Sequence, residues 1–118
     1  MSELFNLVNK HFSDKDKEHQ WTYACSFIFT FKKSIITEIT ITDHYQQNHP
    51  ELTNELILNI LKEKVHGRIR MKPRTKHDKR DIYVFENFLY QGKKYRLIFW
   101  FKDNSNSHLW IRNCYPID

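Results

Sequence analysis

The pattern of the chain predicts an α+β fold. It reads as a single domain over residues 1–118, with helices packed on one face of an antiparallel sheet of about five to six strands. Three observations lead there. Aromatic and β-branched residues alternate with polar ones over long stretches, the mark of half-buried strands. An apolar stripe at helical spacing (Leu52, Leu56, Ile57, Ile60 and Leu61) interrupts that alternation. The connections are short, which favours antiparallel neighbours. With 118 residues, 40% of them hydrophobic and 15% aromatic, the chain can build a core without metal or disulfide staples.

The predicted order is α-β-β-α-β-β-β-β. Residues 2–12 read as a short amphipathic helix, with Leu4, Phe5, Val8 and Phe12 at i, i+1, i+4 and i+8, and Ser2 as its cap. Residues 13–20 read as a charged connector. From Trp21 to Lys32, Trp21, Tyr23, Cys25, Phe27, Phe29 and Phe31 alternate with smaller or polar residues, and Lys33-Ser34 turns this strand into a second one through Thr42. Asp43 with Gln46 three residues later is a capping-box pattern, and Pro50 suits a first helical position. The helix carrying the apolar stripe should lie on the sheet and end near Lys64. Beyond the basic stretch come strands at 81–89, 94–102 and 108–115. The turn at Gln91-Gly92-Lys93 uses Gly92 for a positive φ, and a polar loop at 103–107 reverses the chain again.

Charge is concentrated. Residues 62–80 hold nine Lys/Arg against Glu63 and Asp78, whereas the whole chain carries a net +5. Within this stretch His66, Arg68, Arg70, Lys72 and Arg74 occupy every second position, which on a strand would place all five on one face. Such a ribbon suits a run of phosphates. A solvated edge strand that uses charge against edge-to-edge pairing would read the same way. On the last two strands, Arg96, Ile98, Trp100 and Lys102 share one parity, as do His108, Trp110, Arg112 and Cys114. Arginine beside tryptophan on an open sheet face offers charge for phosphate and rings for stacked bases, and the alternative is a second core layer.

Several classes are excluded or disfavoured. No apolar run approaches the roughly 20 residues of a membrane-spanning helix. The first residues lack the basic start and apolar core of a secretory signal, and Cys25 and Cys114 are far apart within strand patterns. The expectation is therefore a cytoplasmic protein with free thiols and no membrane partner. The seven histidines and two cysteines show no paired zinc spacing, and the two glycines form no phosphate-binding loop, so no metal or cofactor is expected.

From Ile41 onward, the chain resembles the small bacterial ribonuclease toxins grouped as barnase–EndoU–colicin–RelE. The residues that carry the resemblance are Ile41-Thr42-Asp43-His44, the helix through Leu61, the stretch from His66 to Arg74, Tyr95-Arg96-Leu97-Ile98, and Tyr115. It covers about two thirds of the chain at the level of pattern; the long hairpin at 21–42 stands outside the minimal version of that fold. The resemblance implies metal-independent RNA cleavage by His, Arg, Lys and Tyr or Thr on one face of a curved sheet.

Such cleavage needs a base for the 2′-hydroxyl, an acid for the leaving 5′-oxygen and cations at the phosphate. His44, after a strand at a helix start, is the preferred base, and His66, at the mouth of the ribbon, the second choice. Arg70 and Arg112 would neutralise the phosphate. Arg68, Lys72, Arg74, Arg96, Trp100, Trp110 and Tyr115 would hold the flanking RNA. The rival expectation is a non-catalytic interaction module, an inhibitor or effector that docks an acidic partner protein, antitoxin-like or target, through the same basic face. A third is RNA or other polyanion binding without cleavage.

Overall fold

The computed structural model describes residues 4–77 and 80–117. Ser2, Asp78 and Lys79, which enter the expectations above, lie outside them. Strands β1 (Phe5–Ser13), β2 (Glu18–Phe31) and β3 (Ser34–Thr42) form one antiparallel meander, and β4 (Thr75–His77), β5 (Arg80–Tyr90), β6 (Lys93–Phe101) and β7 (His108–Ile117) form another. The two join side by side through β3 and β7, which run parallel from Glu38↔His108 to Ile41↔Ile111. The result is a seven-stranded mixed sheet in the order β1-β2-β3-β7-β6-β5-β4.

The connection from β3 to β4 lies over one face. It contains a 3-10 turn (Asp43–Gln47), the helix α1 (Asn54–Ile60) and a π-helical turn (Leu61–Val65). Thr53 caps α1, its hydroxyl accepting from the Leu56 amide at 3.1 Å. Ile57, Ile60, Leu61 and Val65 are fully buried there, with Phe29, Phe31, Ile39, Leu97, Phe99 and Leu109 from the strands. Each such side chain contributes about 1.5–3 kcal/mol through burial. Two tight turns need left-handed backbone. Lys32 and Lys33 (φ 51° and 67°) close β2–β3, and Gln91 and Gly92 (φ 52° and 82°) close β5–β6.

These findings overturn the α+β expectation of two helices on an antiparallel sheet of about five to six strands. The described residues are mostly sheet, with seven strands and one short α-helix among them. The described part of the 2–12 stretch is not helical; Phe5–Ser13 is an edge strand paired to β2. Its side chains from Asn6 to Phe12 are exposed, so a helix there would gain no buried face, whereas pairing with β2 satisfies the backbone. The supposed connector is a tight reversal (Lys17 N–H to Ser13 O, 2.7 Å) followed by the start of β2, which begins at Glu18. Asp43 begins a 3-10 turn with no side-chain cap. The basic ribbon at 66–74 is not a strand; its backbone is held by the end of β2 and the edge of β5, through Gly67 N–H to Thr30 O, Lys32 N–H to Arg68 O and Arg74 N–H to Ile82 O.

Phe99 sits at the centre of this core, its ring 5.4 Å from that of Phe31 and 5.6 Å from that of Tyr83. Phe99→Ala should lower the unfolding free energy by about 3–5 kcal/mol. Leu89→Ala, at a position 58% exposed, should change it by about 0.5 kcal/mol or less. Urea denaturation followed by tryptophan fluorescence measures both, and equal effects would contradict the assigned core face.

Candidate nucleic-acid interface

Strand alternation sends the neighbours of the core residues to the other face of the sheet. Registers align one row there: Thr22 opposite Thr40, Thr40 opposite Trp110, and Trp110 opposite Trp100. Between Ile98 and Phe99 the β6–β7 register slips, leaving Arg112 as the extra residue of a bulge. At the tryptophan end of this row opens a cavity of about 910 Å³, whose walls include His44 and Gln47 of the 3-10 turn, Trp100, Trp110 and Arg112 of the strands, and Arg80, Lys102 and Glu18.

The cations in this cavity are held in two ways. Arg80 lies over the ring of Trp100 at 4.6 Å, and Lys102 over that of Trp110 at 5.6 Å. A cation over an indole face is attracted by about 0.5–1 kcal/mol at an exposed site, little enough for a phosphate to compete for it. Arg112 instead donates to the Glu18 carboxylate at 3.1 Å, and that carboxylate side chain is only 5% exposed. Removing Arg112 would strand a buried charge, so this pair is fixed. Lys15, Asp16 and Asp103 complete the rim, which makes the cavity mixed in charge and not uniformly basic.

A second polar chain crosses the same face. The Thr22 and Thr40 hydroxyls are 2.8 Å apart, Thr40 Oγ1 is 2.7 Å from His108 Nε2, and Glu38 lies 3.7 Å from His108 Nδ1. The order carboxylate, imidazole, hydroxyl is that of a nucleophile triad. Thr40, however, is 2% exposed and shares its hydroxyl with Thr22, so no substrate reaches it. The chain is a structural ladder. Burial, with Lys102 adding to it, pushes His108 below the ordinary imidazole value.

The expected site residues fall into three places. His44, Trp100, Trp110 and Arg112 come together in the large cavity. Arg74, Arg96 and Tyr115 form a separate network around Glu86, which accepts from Arg74 at 2.7 Å and from Arg96 at 2.5 Å; Arg96 also donates to the Tyr115 hydroxyl at 2.9 Å. The hydrogen bonds from Arg74 and then Arg96 hold the Glu86 carboxyl below its usual range. His66, Arg68, Arg70 and Lys72 lie outside both groups, the first two over the core face. The His66 ring packs on Phe27 and Phe29, and Arg68 lies over Phe85 at 4.4 Å. His66 Nδ1 accepts from the Thr30 amide at 3.0 Å, which commits the lone pair that a general base would need. Arg70 and Lys72 are exposed and have no partner among the described residues.

Glu18, Arg80 and Lys102 escaped assignment to the site. Glu18 was legible in principle, since the alternation Ala24, Thr22, Gln20 continues backward to it. Among the described residues, no group of three or more His, Cys, Asp or Glu is placed to hold a metal ion, and no helix is long and apolar enough to cross a membrane. Both cysteines are free; burial, with Glu38 adding to it, pushes the Cys25 thiol up to about 11, and burial alone takes Cys114 up to about 12. Neither is a thiolate nucleophile near neutral pH. The chain matches no protein-family model, no curated protein and no solved structure.

The ladder makes a pH prediction. His108 is lowered from 6.5 in the fold, so the unfolded chain takes up its proton first on acidification. The stability that neutral His108 contributes is present above pH 6.5 and is lost as pH falls through the lower folded value. Wild type should lose more stability in urea between pH 8 and pH 5.5 than His108→Gln does. Equal losses would show that His108 is not held neutral.

Proposed function

We propose that the protein is RNA-directed, binds a single-stranded segment across the open face of β6 and β7, and cleaves it without a metal. The observation that carries this reading is the joint placement of Trp100, Trp110, four cations (Lys15, Arg80, Lys102 and Arg112) and His44 around one cavity. Bases stack on indole faces whatever their sequence, at about 1–3 kcal/mol per base. Arg80 and Lys102 already rest on those rings, so a base that displaces them leaves each cation beside the phosphate of the same nucleotide.

Cleavage by attack of the 2′-hydroxyl on the adjacent phosphorus is in-line, so the attacking and leaving oxygens stand on opposite sides. Two proton transfers are therefore needed, and His44 is the accessible proton-transfer group of the cavity, since Glu18 is buried and holds Arg112. His44 takes the 2′-hydroxyl proton as general base, and the leaving 5′-oxygen is protonated from solvent. Arg112, Arg80 and Lys102 stabilise the charge that develops on the phosphate oxygens. The residual Arg96–Tyr115 pair and the toxin-like pattern of the sequence are consistent with the same reaction class. A cytoplasmic setting fits two free thiols with no disulfide between them.

A specific observation favours the second reading, a non-catalytic module docked to an acidic protein. Arg70 and Lys72 are exposed, have no partner among the described residues and do not line the cavity, so an acidic surface could pair with them.

RNA cleavage in excess chelator separates the readings. Wild type should cleave, His44→Ala should cleave about 10²–10⁴-fold more slowly, and Trp100→Ala should bind RNA more weakly by about 1–3 kcal/mol. Replacing Arg68, Arg70 and Lys72 together by Gln should leave cleavage in place. Failure of wild type to bind or cleave any RNA would overturn the proposal. Loss of binding only in the triple variant would move the interface to the ribbon.

A further inference from the structure

A second, smaller cavity of about 260 Å³ lies beside the first, lined by Tyr45, Asn48, His49, Asn113 and Tyr115. The two are neighbours in the chain at two points. On β7, Arg112 lines the large cavity and the next residue, Asn113, the small one. At the 3-10 turn, His44 and Gln47 line the large cavity, Tyr45 and Asn48 the small one. Residues adjacent on a strand are about 3.3 Å apart, so a polynucleotide seated in the large cavity carries its next nucleotide to the small one.

The chemistry of the small cavity differs from that of the large one. None of its lining residues is Asp, Glu, Lys or Arg. Its wall is aromatic, with the rings of His49 and Tyr115 nearly parallel at 8° and 6.0 Å apart. Its polar groups include two side-chain amides. Asn113 Oδ1 accepts from the Cys114 amide at 2.9 Å, which fixes the orientation of the side chain and leaves both Nδ2 donors free. Asn48 has no side-chain partner among the described residues, so its donors and acceptor are all available. At Tyr115 the hydroxyl accepts from Arg96 at 2.9 Å, which holds the phenol in place. The volume is below the roughly 300–1,000 Å³ of sites for drug-sized ligands and suits a single ring system.

From this we infer that the small cavity is a base-reading subsite: one nucleobase of the RNA enters it, and Asn48 and Asn113 read its edge. A flat ring with amide-like edges matches an aromatic wall and two amides, whereas a phosphate would find no cation inside. Phosphate contacts position a strand and base contacts specify it, so the large cavity supplies affinity and the small one selectivity. This inference rests on the RNA-directed reading above, and it adds that the protein prefers one base.

The test is equilibrium binding of short homopolymeric RNAs of each of the four bases, followed by tryptophan fluorescence. Wild type should prefer one base by about tenfold or more, the scale set by a paired side-chain contact to a base edge. Asn113→Asp keeps the oxygen that holds the Cys114 amide and removes the donors; Asn48→Ala removes an exposed side chain. Each variant should reduce the preference to about threefold or less. Binding by wild type without preference would overturn the subsite and leave the RNA reading standing, as would a preference unchanged in both variants. Binding of none of the four RNAs would overturn the RNA reading and this inference with it.

Discussion

The structure depends on one short parallel pairing. Between Glu38↔His108 and Ile41↔Ile111, β3 and β7 join two antiparallel meanders that would otherwise be separate ribbons. A parallel neighbour cannot be reached by a hairpin, so the chain must leave β3, cross a face and return. The crossing segment carries Leu52, Ile57, Ile60, Leu61 and Val65 into the core, and in doing so it decides which face of the sheet is covered. The other face keeps a row of threonines and tryptophans across four strands, and that row is where the cavity opens.

The same junction builds the chemistry. β3 ends at Thr42 while β7 continues to Ile117, and the 3-10 turn at Asp43–Gln47 occupies the space beside β7. His44 reaches the large cavity and Tyr45 the small one because this turn lies between them. The bulge at Arg112 places two consecutive residues of β7 in different cavities. A regular strand would have sent one of them to the core face.

Local pattern was legible where one strand alternates over a buried face. Residues 21–32, 81–89, 94–102 and 108–115 read as strands, and apart from the terminal Lys32 and Lys102, which fall in turns, strands they are; the turn at Gly92 has its positive φ of 82°. The grouping of Trp100 with Trp110 and Arg112 also followed from parity alone. What was not legible depended on partners distant in sequence. Phe5–Ser13 has apolar residues at helical spacing, yet its fate is set by pairing with β2. Nothing within β3 or β7 announces a parallel neighbour, and hairpin logic misleads there. The ribbon alternates as a strand would, but its backbone hydrogen bonds go to Thr30, Lys32 and Ile82, which no local reading could supply. Glu18 hid in a run of surface charges because the start of β2 was placed three residues late.

Basicity and site thus part company. Within the most basic stretch of the sequence His66 and Arg68 pack over the core face, and of its described residues only Arg80 reaches the cavity, which carries a mixture of charges. The account holds that RNA is recognised by the cavity, through rings and the cations that rest on them, and not by the density of charge along residues 66–74. Photo-cross-linking of a single-stranded RNA containing a photoreactive uridine analogue, with the adducts mapped by mass spectrometry, tests this directly. Adducts on β6 and β7, at Trp100, Trp110 or Tyr115, are the predicted result; adducts confined to residues 66–74 would contradict it.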